Sequence, residues 1–364
     1  MSKYIVSSSP HISSKSTTQK LMLDVIIALV PTVIASVVLY GFYPLFLLIL
    51  SVGTAVFSEW AFNTIAKRPN STRDLSAIVT GMIFALCLPP VVPFYVAIVG
   101  AAFAIIIVKM LFGGIGRNFA NPAVTARIFV MLCWAGVMTK FVAPIDLSDG
   151  ANLFSYFTHA VNINLPDAIT TATPLAVIKG ATGNPVEGLS ALDMFLGRIG
   201  GSAGEVSTLA VLIGGLYLTI RRVIDVRIPL LYIGSTVVFT AIFYANTDFV
   251  GEYVWSGLLG GGLVFGAFFM ATDYATSPKS TVAVIIYGLL LGFITVIIRK
   301  FGSYPEGVSF AILIMNIVTP LLEKIKPRVF GQPKKDFVLI IKNKQAEREA
   351  KKALKAAEGG VANE

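Results

Sequence analysis

Charge is what this sequence has least of. Asp, Glu, Lys and Arg make up only 13% of its 364 residues, against about a quarter in an ordinary soluble domain. That shortage excludes a water-soluble globule of this size. Cysteine is nearly absent: Cys87 and Cys133 stand alone in apolar segments without a CxxC partner. A disulfide framework and a zinc site are therefore both excluded, and both thiols read as small buried hydrophobes. Histidine is equally scarce, and His11 and His159 are isolated among polar neighbours, so neither is given a ligand role. No cleavable leader is expected either, because the first 20 residues are polar and the first apolar run is long enough for a full span.

Apolar residues are there in quantity, at 55%. They recur in runs of roughly 20, the length that crosses about 30 Å of hydrocarbon as a helix. Spans are expected near 21–40, 43–63, 76–92, 94–112 and 121–139, then near 206–220, 228–245, 253–271, 281–298 and 308–322. The chain reads as an all-α polytopic membrane protein of ten transmembrane helices in two five-helix blocks. Its parts are a cytoplasmic N-terminus (1–20), a first block (21–139), a long extracytoplasmic loop (140–205), a second block (206–323) and a basic cytoplasmic tail (324–364). An odd-numbered unit repeated twice implies an inverted repeat.

The bases set the expected orientation. With the N-terminus inside, thirteen of them from Lys3 to Lys279, Arg127 included, fall at inner ends, and eleven more lie in the tail. Only Lys140, Lys179, Arg198, Arg299 and Lys300 remain outside. Both termini are thus expected in the cytoplasm. The tail from Lys334 onward reads as a helix for docking a partner or the lipid surface.

The outer loop carries the most specific stretch, Asp167-Ala-Ile-Thr170-Thr171-Ala172-Thr173-Pro174-Leu175. As an ordinary turn it would use its hydroxyls on its own backbone. Four charged groups stand in or near spans, namely Asp24, Glu59, Arg127 and Asp273. Such residues are costly in hydrocarbon and point to function. Glu59 and Asp273 are the ion-path candidates, Glu59 the better. Gly262 and Gly266 form a GxxxG in the eighth span, which close helix packing explains. Gly113-Gly114-Ile115-Gly116-Arg117-Asn118-Phe119-Ala120-Asn121-Pro122 supports two readings. It is either a tight turn with an Asn cap before Pro122, or a backbone break beside a flat ligand.

Asp-x-x-Thr-x-Ala-Thr resembles the acceptor sequence of flavin transferases, which esterify the last threonine with the phosphate of FMN. Other motifs widen the resemblance: Ser8-Ser9-Pro10-His11-Ile12, Lys20 to Pro31, the glycine turn just given, and Phe269-Met270-Ala271-Thr272-Asp273-Tyr274-Ala275-Thr276-Ser277-Pro278. Together they resemble the D subunits of the Rnf electron-transport complexes and, less closely, the B subunits of the sodium-pumping NADH:quinone reductases, over about residues 4–330. The resemblance implies a bacterial inner-membrane complex passing electrons between ferredoxin and NAD, coupled to Na+ or H+ movement. It implies FMN on Thr173, with Asp167, Thr170 and Ala172 as recognition residues, and riboflavin as a second cofactor without an assigned site. Implied partners are the flavin-carrying G subunit, the other membrane subunits, a flavin transferase and the bilayer, with no nucleic acid. A flavin-free solute transporter and a cofactor-free scaffold are the competing readings, and both leave the threonine motif unexplained.

Overall fold

The longest apolar runs form the longest helices. In the computed structural model, which describes residues 17–145, 173–180, 190–247 and 249–325, Thr17 caps α1 (Thr18–Tyr40) by accepting from the Lys20 N–H at 3.3 Å. Two residues turn the chain back into α2 (Tyr43–Ile65). α3 (Ser76–Leu86) and α4 (Phe94–Phe103) follow, α4 continuing as a π-helical stretch, Ala104–Met110. Then come α5 (Pro122–Cys133), α6 (Ala135–Met138), the short α7 (Pro174–Gly180) and α8 (Ala191–Leu196), and α9 (Thr208–Ile220) and α10 (Arg227–Phe243). α11 (Val250–Leu259) is followed by α12 (Leu263–Phe265), which runs on as a π stretch, Gly266–Met270. α13 (Thr281–Phe301) and α14 (Val308–Leu322) complete the order.

Among the described residues there is no β-strand. α1, α2 and α13 are long and apolar enough to cross a membrane, and α11 with α12 would do so as a pair bent by 55°. Six further apolar helices are shorter than a full span. Large side chains such as Ile34, Ile49, Phe57, Leu230 and Val238 are each more than half exposed on these helices, as a lipid-facing surface requires. The described chain is a helical, multi-pass membrane protein.

Small residues let the helices approach closely, which is how helices associate where lipid removes the hydrophobic drive. The Ser51 hydroxyl of α2 donates to the Gly81 carbonyl of α3 at 2.9 Å, and Ser235 of α10 donates to Gly288 of α13 at the same distance.

Two expected spans are interrupted. The run expected at 76–92 ends its helix at Leu86, because Pro89 and Pro90 cannot continue it. Cys87 N–H makes the last α-helical bond, to the Ile83 carbonyl at 3.2 Å, and residues 88–92 beyond it are buried in non-helical backbone, a state the membrane interior tolerates only inside protein. Buried partners supply their hydrogen bonds: Tyr43 donates to the Val92 carbonyl at 2.8 Å, and the Ala203 and Gly204 N–H groups donate to Leu88 and Leu86. The eighth span breaks at Gly260–Gly262. Gly262 therefore belongs to a break and not to a helix-packing GxxxG.

Among the described residues, three other than glycine hold left-handed backbone: Lys67 (φ 50°), Leu75 (φ 63°) and Arg222 (φ 54°). Lys67 and Arg222 turn the chain just beyond the ends of α2 and α9. Cys87 is buried as expected, but Cys133 is exposed near the end of α5, correcting that reading. Asp167, Thr170, Ala172, the Ser8–Ile12 motif and the tail from residue 326 onward lie outside the described residues.

Candidate functional site

Thr173 opens α7. Its carbonyl accepts from the Ala176 and Val177 N–H groups at 2.9 and 3.0 Å, and its hydroxyl accepts from Ala176 N–H at a long 3.3 Å. Thr173 is half-buried, while Pro174 and Leu175 behind it are buried. A Cβ on Gly260 would lie 3.2 Å from Pro174 Cβ, and one on Gly261 would lie 2.6 Å from Leu175 Cδ1. The glycines of the broken helix therefore let the Thr173 segment dock against it. Lys179 ties the far end of α7 to the carbonyls of Gly302 and Tyr304. The hydroxyl thus sits at an anchored point with little of its bonding capacity used.

Beneath Thr173 three charges meet. The Arg127 guanidinium of α5 pairs with both oxygens of Glu205 and, at 2.5 Å, with Glu306. The arginine and Glu205 side chains are only 5% exposed and Glu306 21%. Glu306 also accepts from the Gly262 N–H at 3.2 Å, capping the N-terminal end of α12 where the helix dipole favours an anion. A Cβ on Gly262 would come within 2.6 Å of both carboxylates, so only glycine fits there. Thr173, Ser202, Glu205, Glu306, Gly260 and Gly261 line one small cavity of about 50 Å³. Arg127 therefore groups with residues expected outside, which corrects its place among the inner bases. Sequence reasoning missed Glu205 and Glu306, since each lies in an apparent loop.

At the other end of α12 lies a larger cavity of about 570 Å³, within the range of small-molecule sites. Its walls include Phe268 and Phe269, with Lys109, Gly116, Asn118, Asn121 and Asp273 as polar points. The tight-turn reading of the glycine stretch holds. Gly113, Gly114 and Gly116 all have positive φ, and Asn121 caps α5 by accepting from the Ala123 N–H at 3.0 Å. The same Asn121 donates to the Met270 carbonyl at 3.2 Å, and Gly116 opens onto the cavity. Burial pushes the Asp273 carboxyl up from the ordinary range, against hydrogen bonds from Ala275, Thr276, Asn118 and Tyr274 that lower it. Asp273 and Thr173 are thus at opposite ends of one short helical segment, on the order of 10 Å long, and line different cavities.

Glu59 is fully buried and paired. Lys109 Nζ lies 2.9 Å from its Oε2, and the Ser71 hydroxyl donates to Oε1 at 2.5 Å. Asp24, near the start of α1, is paired with Arg221 at 3.2 Å. Among the described residues no cluster of His, Cys, Asp and Glu is placed to hold a metal ion.

Broken helices that bury ionised groups at their breaks define a class of membrane protein built to handle charge within the bilayer. Residues 5–331 match the NQR2, RnfD, RnfE family, and the chain belongs to that family. It is 42% identical over 333 residues to the D subunit of the Na(+)-translocating ferredoxin:NAD(+) oxidoreductase complex of Acetobacterium woodii, covering 90% of this chain and 96% of the relative. It is 36% identical to the D subunit of the proton-translocating ferredoxin:NAD(+) oxidoreductase complex of Clostridium ljungdahlii, again over 90% and 96% of the two chains. The D subunit of the ion-translocating oxidoreductase complex of Vibrio atlanticus is 34% identical, over 90% of this chain and 99% of its own.

Proposed function

We propose that this chain is the flavin-bearing membrane subunit of an ion-translocating ferredoxin:NAD+ oxidoreductase complex. The observation that carries the reading is a nearly end-to-end match to the D subunits of such complexes, in a chain that anchors Thr173 with its hydroxyl available. In this reading FMN is esterified to Thr173, while Asp167, Thr170 and Ala172 serve recognition by the transferase. FMN supplies one- and two-electron chemistry.

The small cavity cannot take a tricyclic ring, and two carboxylates line it. A phosphate on Thr173 therefore points away from Glu205 and Glu306, with the ring outside the cavity. The larger cavity has the volume for a flavin, with aromatic walls, a glycine-lined edge and the Asn118 and Asn121 amides near it. Riboflavin is assigned there. The ten apolar helical stretches are read as ten crossings, with the termini in the cytoplasm, the Thr173 loop outside and the G subunit as its partner.

Two tests follow. A complex isolated through a tag on this chain should reduce NAD+ with reduced ferredoxin, take up cation in inverted vesicles, and show flavin fluorescence at this chain's mass after denaturing electrophoresis. A complex without these properties refutes the reading. For the topology, Ser155→Cys in a chain lacking Cys87 and Cys133 should react with an impermeant thiol reagent in intact spheroplasts. Reaction only after lysis reverses the orientation.

Glu59 is proposed to lie on the ion path, with Asp273 second to it. Glu59→Gln should lose ion transport while covalent flavin content stays at the wild-type level. Unchanged transport removes Glu59 from the path.

A further inference from the structure

Glu59 has no solvent exposure, and a carboxylate in that position requires a counter-charge. The counter-charge is Lys109, and its surroundings are unusual for a structural ion pair. Lys109 Nζ lies 2.9 Å from Glu59 Oε2 and donates to the Ser76 hydroxyl at 2.6 Å. Ser76 in turn donates to Asp74 Oδ1 at 2.5 Å, and Ser71 donates to Glu59 while accepting from Asn63 at 3.0 Å. The ammonium therefore sits between two hard oxygen atoms, Glu59 Oε2 and Ser76 Oγ, with Asp74 and Ser71 one hydrogen bond further out, the donor type that suits a free alkali cation or a proton.

Two further facts make that occupancy conditional. Lys109 stands in the π-helical end of α4, a distortion frequent at functional sites. Lys109 and Ser76 also line the 570 Å³ cavity, so a rotation of the four-carbon stem carries the ammonium from Glu59 into it. On the other side, Asn70 of the α2–α3 turn is exposed and Thr72 half-buried, and Ser71 connects that turn to Glu59. Arg68 is engaged with the Met110 carbonyl at 3.3 Å and does not pair with Glu59. The other charged groups lining the cavity are Asp273, Lys279 and Glu323.

We propose that Lys109 is a tethered cation that alternates at Glu59 with a free monovalent cation, the charge within the adjoining cavity deciding which of the two Glu59 holds. A negative charge arriving in the cavity, such as a reduced flavin anion, attracts the ammonium. Glu59 then takes one cation from the α2–α3 turn, so one positive charge leaves the carboxylate and one replaces it. When the cavity returns to neutral, Lys109 displaces that cation. The exchange needs only that the cavity's occupant interact differently with the two positions of Lys109. This inference rests on the proposed function, since it takes the cavity to hold a redox group.

The test uses the intact complex in inverted vesicles, with cation uptake and NAD+ reduction measured together across NaCl concentrations at constant ionic strength, and across pH at fixed NaCl. In Lys109→Met, Glu59 has no tethered competitor. The half-saturating cation concentration should fall at least tenfold, and cations moved per NAD+ reduced should fall by a similar factor because Glu59 no longer releases its ion. In Lys109→Arg, a bidentate guanidinium holds Glu59 more firmly, and half-saturation should rise at least tenfold. A merely structural pair would not move the constant in opposite directions. Sodium is the cation if the shifts appear along the NaCl axis, and a proton if they appear along pH alone. Should Lys109→Met fail to accumulate, Lys109→Arg decides by itself. Wild-type half-saturation and stoichiometry in the variant that accumulates overturn the proposal. A wild-type complex that reduces NAD+ without any cation uptake refutes instead the function on which it rests.

Discussion

Thr173→Val should abolish covalent flavin while the protein still inserts into the membrane. Valine keeps the shape and removes the oxygen. The threonines at 170, 171 and 173 are chemically equivalent alcohols, none nucleophilic at neutral pH without a base and a positioned phosphate, so selection depends on presentation. Thr173 is the one that meets an anchored element: Pro174 fixes the next φ and biases Thr173 toward extended geometry. Pro174 and Leu175 are buried, and the hydroxyl carries a single 3.3 Å bond. That bond is an N-cap, worth about 1 kcal/mol, so valine also weakens a seven-residue helix. Thr173→Ser separates the two effects, since it restores both cap and nucleophile and should regain the fluorescent band. Thr171→Val should keep the band and Thr170→Val reduce it. An FMN adduct mapped by peptide mass to Thr170 or Thr171 refutes the assignment.

Arg127→Met should be among the most destabilising single changes in the chain. It leaves the buried Glu205 and the largely buried Glu306 without their shared cation, and removing one member of a buried ionic group costs about 3–5 kcal/mol. Against a total stability of about 5–15 kcal/mol, much of the variant should be lost from membranes, and its midpoint in detergent should fall well below wild type. The combination Arg127→Met, Glu205→Gln and Glu306→Gln should recover most of the loss, because no buried charge then lacks a partner. A single Arg127→Met that melts with the wild type would mean that water reaches the carboxylates.

The starts of most helices were legible in the sequence. Tyr43, Ser76, Phe94, Thr281 and Val308 each begin a helix where a polar or turn residue gives way to an apolar run. The interruptions were harder to see, because a hydropathy window passes over Leu86–Val92 and Gly260–Gly262 as more apolar chain. The signals were nevertheless present, in Pro89-Pro90 and in three consecutive glycines. Arg127 was visible as a charge within a span, but its partners lie 78 and 179 residues away. No local pattern encodes a pairing of that range. Glu205 and Glu306, each next to a glycine, looked like loop acids. Glu59 was visible as a carboxylate within a span, yet Lys109 looked like an ordinary inner-end base, because the π turn that aims it at Glu59 has no sequence signature.

Lys67 and Arg222 hold left-handed backbone just beyond the ends of α2 and α9. For a residue with a Cβ this costs roughly 1–2 kcal/mol, and glycine there would make the finished structure more stable. The cations act at an earlier stage. During membrane insertion no tertiary contacts exist, and each corner meets the bilayer as an isolated hairpin end. Carrying a Lys or Arg through its centre then costs roughly 2.5–3.5 kcal/mol on an insertion scale. A glycine at either corner would relax the native backbone and remove a barrier to threading the hairpin the wrong way round. For this chain, a gain in equilibrium stability at those two positions would come with a loss of fidelity in biogenesis.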